Sequence, residues 1–177
     1  MSAPTLLDLY RDAAEAFRLE AQREYAVPAE SAQLKAFLEG QPLPFDPAVE
    51  RSMEIIRSAT ARGAHFRRVH VVDLPLSPYL RYEMRAYQEN VAAGEQVSIA
   101  VRSWHRDLAA LDEDFVLFDP GTDRQAVVWM RYDVRGQLAD TLYRDSPADV
   151  ARACRRRDIA LVHAVPLHEF TALADTG

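Results

Sequence analysis

Residues 66–83 read FRRVHVVDLPLSPYLRYE, and this stretch decides the fold. Phe66, Val69, Val71 and Val72 form a β-rich run too continuous for a strand with one wet face. Ser77-Pro78 then supplies an N-cap followed by proline at the first helical position. A helix is expected from there to Ala93-Gly94, and Gln96 to Val101 is the next strand. Strand, helix and strand in so short a span predict one parallel βαβ unit. Such a strand end feeding a helix start is where open α/β sheets place ligands, anions above all.

Downstream, Phe115 to Asp119, Val127 to Tyr132 and Leu138 to Tyr143 are short strands. Pro120-Gly-Thr-Asp123 and Asp133-Val-Arg-Gly136 are the turn signals between them, so a meander is expected. Ser146-Pro147 opens a further helix reaching about Arg156. Ile159 to Val165 reads as strand or helix, and a short helix follows Pro166.

Upstream, Leu6, Leu9, Tyr10, Ala13, Phe17 and Leu19 recur at helical spacing, predicting one amphipathic helix from about Thr5 to Glu24. A second helix starts near Pro28 and stops at Gly40. A third has Asp46 as cap and Pro47 at its first position, and stops at Gly63. The expected class is α/β: a mixed sheet of about five strands with one βαβ unit and a C-terminal meander, and N-terminal helices packed on it. Residues 1–177 read as a single domain, with a helical part over 1–63 and the mixed-sheet body over 64–177.

The 177 residues suit one domain and can bury roughly 70% of the unfolded surface. A net charge of −6 argues against nucleic acid as a partner. One cysteine, Cys154, excludes a disulfide framework. No secretory leader and no membrane-length apolar run are visible, so a cytoplasmic setting is expected. Lys35 is the only lysine among 21 basic residues.

The candidate site gathers around the first-quoted stretch. On a strand, Arg67 and Arg68 point to opposite faces, so one of them at most serves a shared pocket. On the helix, Tyr79 and Glu83 are four apart and share a face, while Arg81 projects elsewhere. The expected ligand-binding residues are Arg67, Arg68, Tyr79, Arg81, Glu83 and Arg102, with a small anion as guest. A structural pairing of Arg68 with Glu83 or Glu20 is the competing reading. Glu83 and Glu20 are the candidate catalytic groups should the protein be an enzyme. The five histidines lack helical ligand spacing, so no metal site is expected. Six glycines form no phosphate cradle, and no cofactor is expected. No serine or cysteine sits in a nucleophile motif; Cys154, ahead of Arg155-Arg156-Arg157, reads as structural.

The segments FRLEAQREYAVPAE, FRRVHVVDLPLSPYLRYE, AAGEQVSIAVR and EDFVLFD resemble an actinobacterial family of unknown function. Its members often sit beside helix-turn-helix regulators of the xenobiotic-response type. The resemblance implies a set of matching residues: Glu20, Tyr25, Glu30, Arg67, Arg68, Tyr79, Arg81, Glu83, Gly94, Glu95, Arg102 and Asp119. It implies a regulator as partner and brings no activity. This chain departs from the pattern at Val116 and Pro78. The element order also looks like one half of the phospholipase-D-like fold, but the histidine-lysine-aspartate signature is absent from Asp114 to Asp119. Together these features lead to the expectation of a non-catalytic regulatory or small-anion-binding domain. The alternative is an enzyme acting on an amino-acid or phosphate-bearing metabolite, with a glutamate base and an arginine clamp.

Overall fold

The computed structural model describes residues 4–174; the outermost three at either end of the 1–177 domain reading lie outside the described residues. It is a mixed α/β sheet of seven strands flanked by helices. In chain order the elements are α1 (Leu6–Asp12), β1 (Glu15–Glu20), α2 (Ser31–Leu38), α3 (Pro47–Ala61), β2 (His65–Val72), α4 (Pro78–Ala92) and β3 (Gln96–Val101). Then follow β4 (Asp114–Phe118), β5 (Ala126–Tyr132), β6 (Leu138–Arg144), α5 (Pro147–His163), β7 (Val165–Pro166) and α6 (Leu167–Ala174). The sheet order is β6-β5-β4-β1-β2-β3-β7. β1, β2 and β3 run parallel; the remaining neighbours pair antiparallel.

The expected βαβ unit is β2-α4-β3, capped as expected: the Ser77 side chain accepts from the Leu80 N–H. It is not alone, since β1 and β2 are also parallel neighbours, joined across α2 and α3. The meander is β4-β5-β6. Two further expectations are corrected. The sheet has seven strands rather than five, and the helix expected over Thr5 to Glu24 breaks after one capped segment. Thr5 and Asp8 form a capping box at the start of α1. At its end, the Ala14 and Glu15 N–H groups both donate to Asp119 Oδ1 at 2.8 Å. Those donors are thereby lost to any helix, and the chain leaves α1 extended. β1 then enters the middle of the sheet between β4 and β2. The N-terminal part is therefore not merely packed on the body but supplies one of its central strands. α5 also runs on to His163, past the expected Arg156, which resolves the Ile159 to Val165 ambiguity as helix followed by the two-residue β7.

The two sheet faces differ in character. One is covered by α5 and has an apolar centre: Phe17, Leu19, Val69, Val71, Phe115, Leu117, Ala153 and Ala160 pack there, with the Arg67–Glu15 ion pair on the same face. Cys154 packs against this cluster, half-buried. On the other face lie two separate apolar clusters. Tyr10, Ala16, Met53, Ile56, Phe66 and Phe118 form the first, under α1 and α3. Tyr25, Tyr79, Leu80, Tyr82, Tyr87 and Ile99 form the second, around α4. Between them the sheet turns polar, and the site lies at this seam.

Candidate functional site

The seam follows from strand register. β1 and β2 pair in parallel with Arg18 beside Arg68 and Glu20 beside His70. Side chains two apart on a strand share a face, so these four meet on the sheet side that α4 covers. Two adjacent guanidiniums in a protein interior repel unless carboxylates divide them. Glu20 does so: Arg18 Nη2 stands 2.8 Å from Glu20 Oε1, and Arg68 Nη1 3.0 Å from Oε2. Arg68 also reaches Glu95, with Nε at 3.2 Å from Oε1. Asn90 donates to the second Glu95 oxygen at 2.6 Å. The Arg68 guanidinium stacks 5.1 Å above the Tyr87 ring. Burial pushes the Glu20 carboxyl up, but Arg18 and Arg68 outweigh it and hold Glu20 well below the usual carboxylate range.

Above this floor opens a cavity of about 560 Å³, within the range of small-molecule sites. Four tyrosines stand on its wall in a connected series. Tyr25 lies 5.2 Å from Tyr132 and 6.1 Å from Tyr79, and Tyr79 lies 6.0 Å from Tyr82, centroid to centroid. Several hydroxyls are spent inside the protein. Tyr25 donates to Asp114 at 2.6 Å, Tyr79 to Glu30 at 3.1 Å, Tyr82 to Gln33 at 3.0 Å and Tyr87 to Glu20 at 2.6 Å. Gln33 in turn donates to the Pro44 carbonyl, tying α2 down. The rim is more exposed and comes from Val27, Pro28, Ala48, Gln137 and Leu138. Across it, the Ala26 N–H donates to the Gly136 carbonyl at 2.9 Å, joining the β5–β6 turn to the loop after β1.

Glu83 is the odd member. It is 6% exposed, lines the cavity and belongs to no ion pair among the described residues. Burial, then the negative charges of Glu20 and Glu30, raise its carboxyl to about 8. Glu30, also on the wall, is raised by burial against the hydrogen bond from Tyr79. A carboxyl so displaced in a concavity is a mark of functional sites.

Of the residues expected in the site, Arg68, Tyr79, Glu83 and Glu20 do converge. Arg67, Arg81 and Arg102 do not. Arg67 lies on the opposite sheet face, donating to Glu15 at 2.9 Å. Arg81 is exposed and donates to the Leu76 carbonyl. Arg102 ties a loop together through the Leu108, Leu111 and Ala21 carbonyls. Arg68 itself pairs with Glu20, one of the two acids weighed for it, and with Glu95 in place of Glu83.

Spacing along the chain suggested no metal ligands, yet Glu20, His70 and Glu83 each offer an atom within 4.8 Å of the others. They come from β1, β2 and α4, three elements that no sequence window spans. The fit to a cation is poor. His70 Nδ1 lies 2.8 Å from the Tyr87 hydroxyl and Nε2 3.1 Å from the Gln22 carbonyl, so both nitrogens are engaged. Glu20 already neutralises two guanidiniums.

Sequence reasoning also missed Arg18 and Tyr132. Arg18 was hidden by the helical reading of its segment, and Tyr132 sits at the end of a strand whose face could not be assigned without the register. Of the residues implied by the resemblance, Glu20, Tyr25, Glu30, Arg68, Tyr79 and Glu83 line the cavity. Glu95 braces its floor, and Asp119 and Gly94 hold the frame. No curated protein and no solved structure was found to match the chain. A family model described as Domain of unknown function (DUF6879) matches residues 5–172, and the chain belongs to that family.

Proposed function

We propose that this protein is a non-catalytic ligand-binding domain whose cavity between β1, β2, α2 and α4 takes one small polar molecule. The observation that carries the reading is a tyrosine-walled space of about 560 Å³ over a floor whose charges are already matched. A floor so saturated has little left to do chemically: Glu20 is held ionised and shared by two cations. Its rigidity suits it to hold walls at fixed spacing, which favours selective binding. In this reading occupancy is passed to a helix-turn-helix regulator, the partner that the family resemblance implies. Phosphodiester cleavage forms no part of the proposal, since the histidine-lysine-aspartate signature is missing from Asp114 to Asp119.

The test is a metabolite screen by thermal shift on the full chain, run beside Ala86→Trp, which fills the cavity from α4. A guest that raises the melting temperature, is recovered unchanged, and loses its effect in Ala86→Trp supports the domain as a receptor. A shift that survives Ala86→Trp places binding elsewhere and sinks the reading.

One observation favours a second reading. Glu83, raised to about 8, is poised to exchange a proton near neutrality. An enzyme using Glu83 as general base would turn over its guest, and Glu83→Gln would stop turnover while leaving binding of an uncharged guest intact.

A further inference from the structure

Charge bookkeeping across the cavity specifies its guest further. Two guanidiniums, Arg18 and Arg68, are matched by Glu20 and Glu95. Glu30 and Glu83 remain on the wall outside any ion pair among the described residues, feeling the Arg68 charge, and for Glu30 that of Arg18, only as minor influences beside burial. The Arg68 nitrogens all point at carboxylate oxygens. Tyr25, Tyr79 and Tyr82 have given their hydroxyl hydrogens to Asp114, Glu30 and Gln33. What these three offer a guest is aromatic carbon and phenolic lone pairs. An anion would find one buried guanidinium N–H without a partner among the described residues, Arg18 Nε, but also two carboxyls that belong to no ion pair. A cation would find ring surfaces whose quadrupoles attract it and carboxyls whose charge it satisfies.

We propose that the cavity receives a small organic cation, an ammonium or guanidinium compound, seated among Tyr25, Tyr79 and Tyr82 and neutralised by Glu83 with Glu30. The inference rests on the ligand-binding reading above and names its ligand class. The expected small anion gives way because the arginine that would have held it is engaged twice over. Binding should also depend on pH. Facing Glu83 are Glu20 and Arg18 from β1, Arg68 and His70 from β2, Glu30 before α2, and Tyr79 and Tyr87 on its own helix. Of these, Glu20 is fixed as an anion, Arg18 and Arg68 as cations, and burial disfavours the charged form of His70 and of both tyrosines. Glu83 is left to change charge as a cation arrives, by losing one proton.

The experiment is calorimetric titration of the full chain with choline, agmatine and putrescine. Dimethylbutanol serves as the uncharged isostere of choline, and inorganic phosphate and citrate as anions. At least one cation should bind where dimethylbutanol does not. Its affinity should rise toward about tenfold per pH unit below pH 8, as one proton leaves per cation bound. Glu83→Gln should weaken that binding by about tenfold or more and flatten the pH slope. Cations that bind no better than dimethylbutanol, or a Glu83→Gln protein that binds them as tightly as before, would overturn the inference. Should a neutral or anionic probe bind instead, and lose its binding in Ala86→Trp, the cation assignment falls while the ligand-binding reading stands. If no probe of any class binds, both fall as stated.

Discussion

The Tyr87 hydroxyl lies 2.6 Å from Glu20 Oε2, joining α4 to β1 at the centre of the polar seam. The Tyr87 hydroxyl oxygen is also 2.8 Å from His70 Nδ1. His70 Nε2 faces the Gln22 carbonyl, an acceptor only, and so carries a hydrogen. With His70 neutral, Nδ1 is an acceptor, and the single phenolic hydrogen is divided between the imidazole and the carboxylate. Tyr87→Phe removes that hydrogen and leaves two buried acceptors short. The expected cost is about 1–3 kcal/mol in urea unfolding, with the fold retained. A loss below about 0.5 kcal/mol would mean that the hydroxyl is dispensable at this junction.

Arg68 holds two carboxylates that nothing else in the seam can neutralise fully. Arg68→Met leaves Glu20 with Arg18 as its one guanidinium partner beside the Tyr87 hydrogen bond, and Glu95 with the Asn90 hydrogen bond and no ion pair among the described residues. Breaking a buried pair in this way costs about 3–5 kcal/mol. Adding Glu95→Gln should recover part of that loss, because it removes the stranded charge. A double-mutant cycle by chemical denaturation gives the coupling, and strict additivity would show that the two groups do not interact.

Glu83 predicts the sign of one limb of the pH–stability curve. Its folded carboxyl, near 8, lies above the ordinary 4.5, so the folded state binds the extra proton between those values. Stability from this group is complete below about 4.5 and falls as pH rises through 8. Asp114, raised by burial to about 6, acts in the same direction over a lower window. Glu20 acts oppositely: its contribution is complete above the ordinary carboxylate range and is lost as pH falls below it. Glu83→Gln should therefore raise the melting temperature at pH 8 and flatten the decline between pH 6 and 8. An unchanged slope would show that Glu83 ionises normally.

Gly94 and Gly63 form a matched pair for measuring close approach. Both have positive φ, +100° and +95°. A Cβ on Gly63 meets nothing within 4 Å, whereas one on Gly94 would stand 2.6 Å from Thr60 Oγ1 and 2.9 Å from its Cβ. Gly63→Ala carries the backbone cost alone, about 1–2 kcal/mol. Gly94→Ala adds displacement of Thr60, whose hydroxyl donates to the Ala93 carbonyl, and should cost clearly more. Equal losses by urea denaturation would show that α3 yields there freely.

Local chemistry made much of this fold legible, and the reasons are specific. Ser77-Pro78 and Asp46-Pro47 are caps whose hydrogen bonds involve only their own helix, so they read directly from the chain. Alternation on β2 correctly separated Arg67 from Arg68, and the four-residue step from Tyr79 to Glu83 put both on the cavity wall. Residues 15–20 failed for the opposite reason. β1 is central, so it has buried residues on both faces and no clean alternation; its pattern runs on from α1 at near-helical spacing. What ends α1 is Asp119, about a hundred positions away in sequence. The meeting of Glu20, His70 and Glu83 is likewise a product of register and helix placement, and local pattern carries no trace of it.

The position of β1 has a consequence for how the molecule assembles. This strand leaves the ribosome well before its antiparallel neighbour, β4, which follows almost a hundred residues later. Until β4 arrives, one rim of β1 and the ion pairs it anchors stay open to water, and closure demands a long-range contact of the slow kind. A fragment beginning after residue 63 would lack the strand joining the two halves of the sheet. The two halves of the sheet therefore depend on one another through β1, and the cavity that both line is complete only once β4 and β5 are in place.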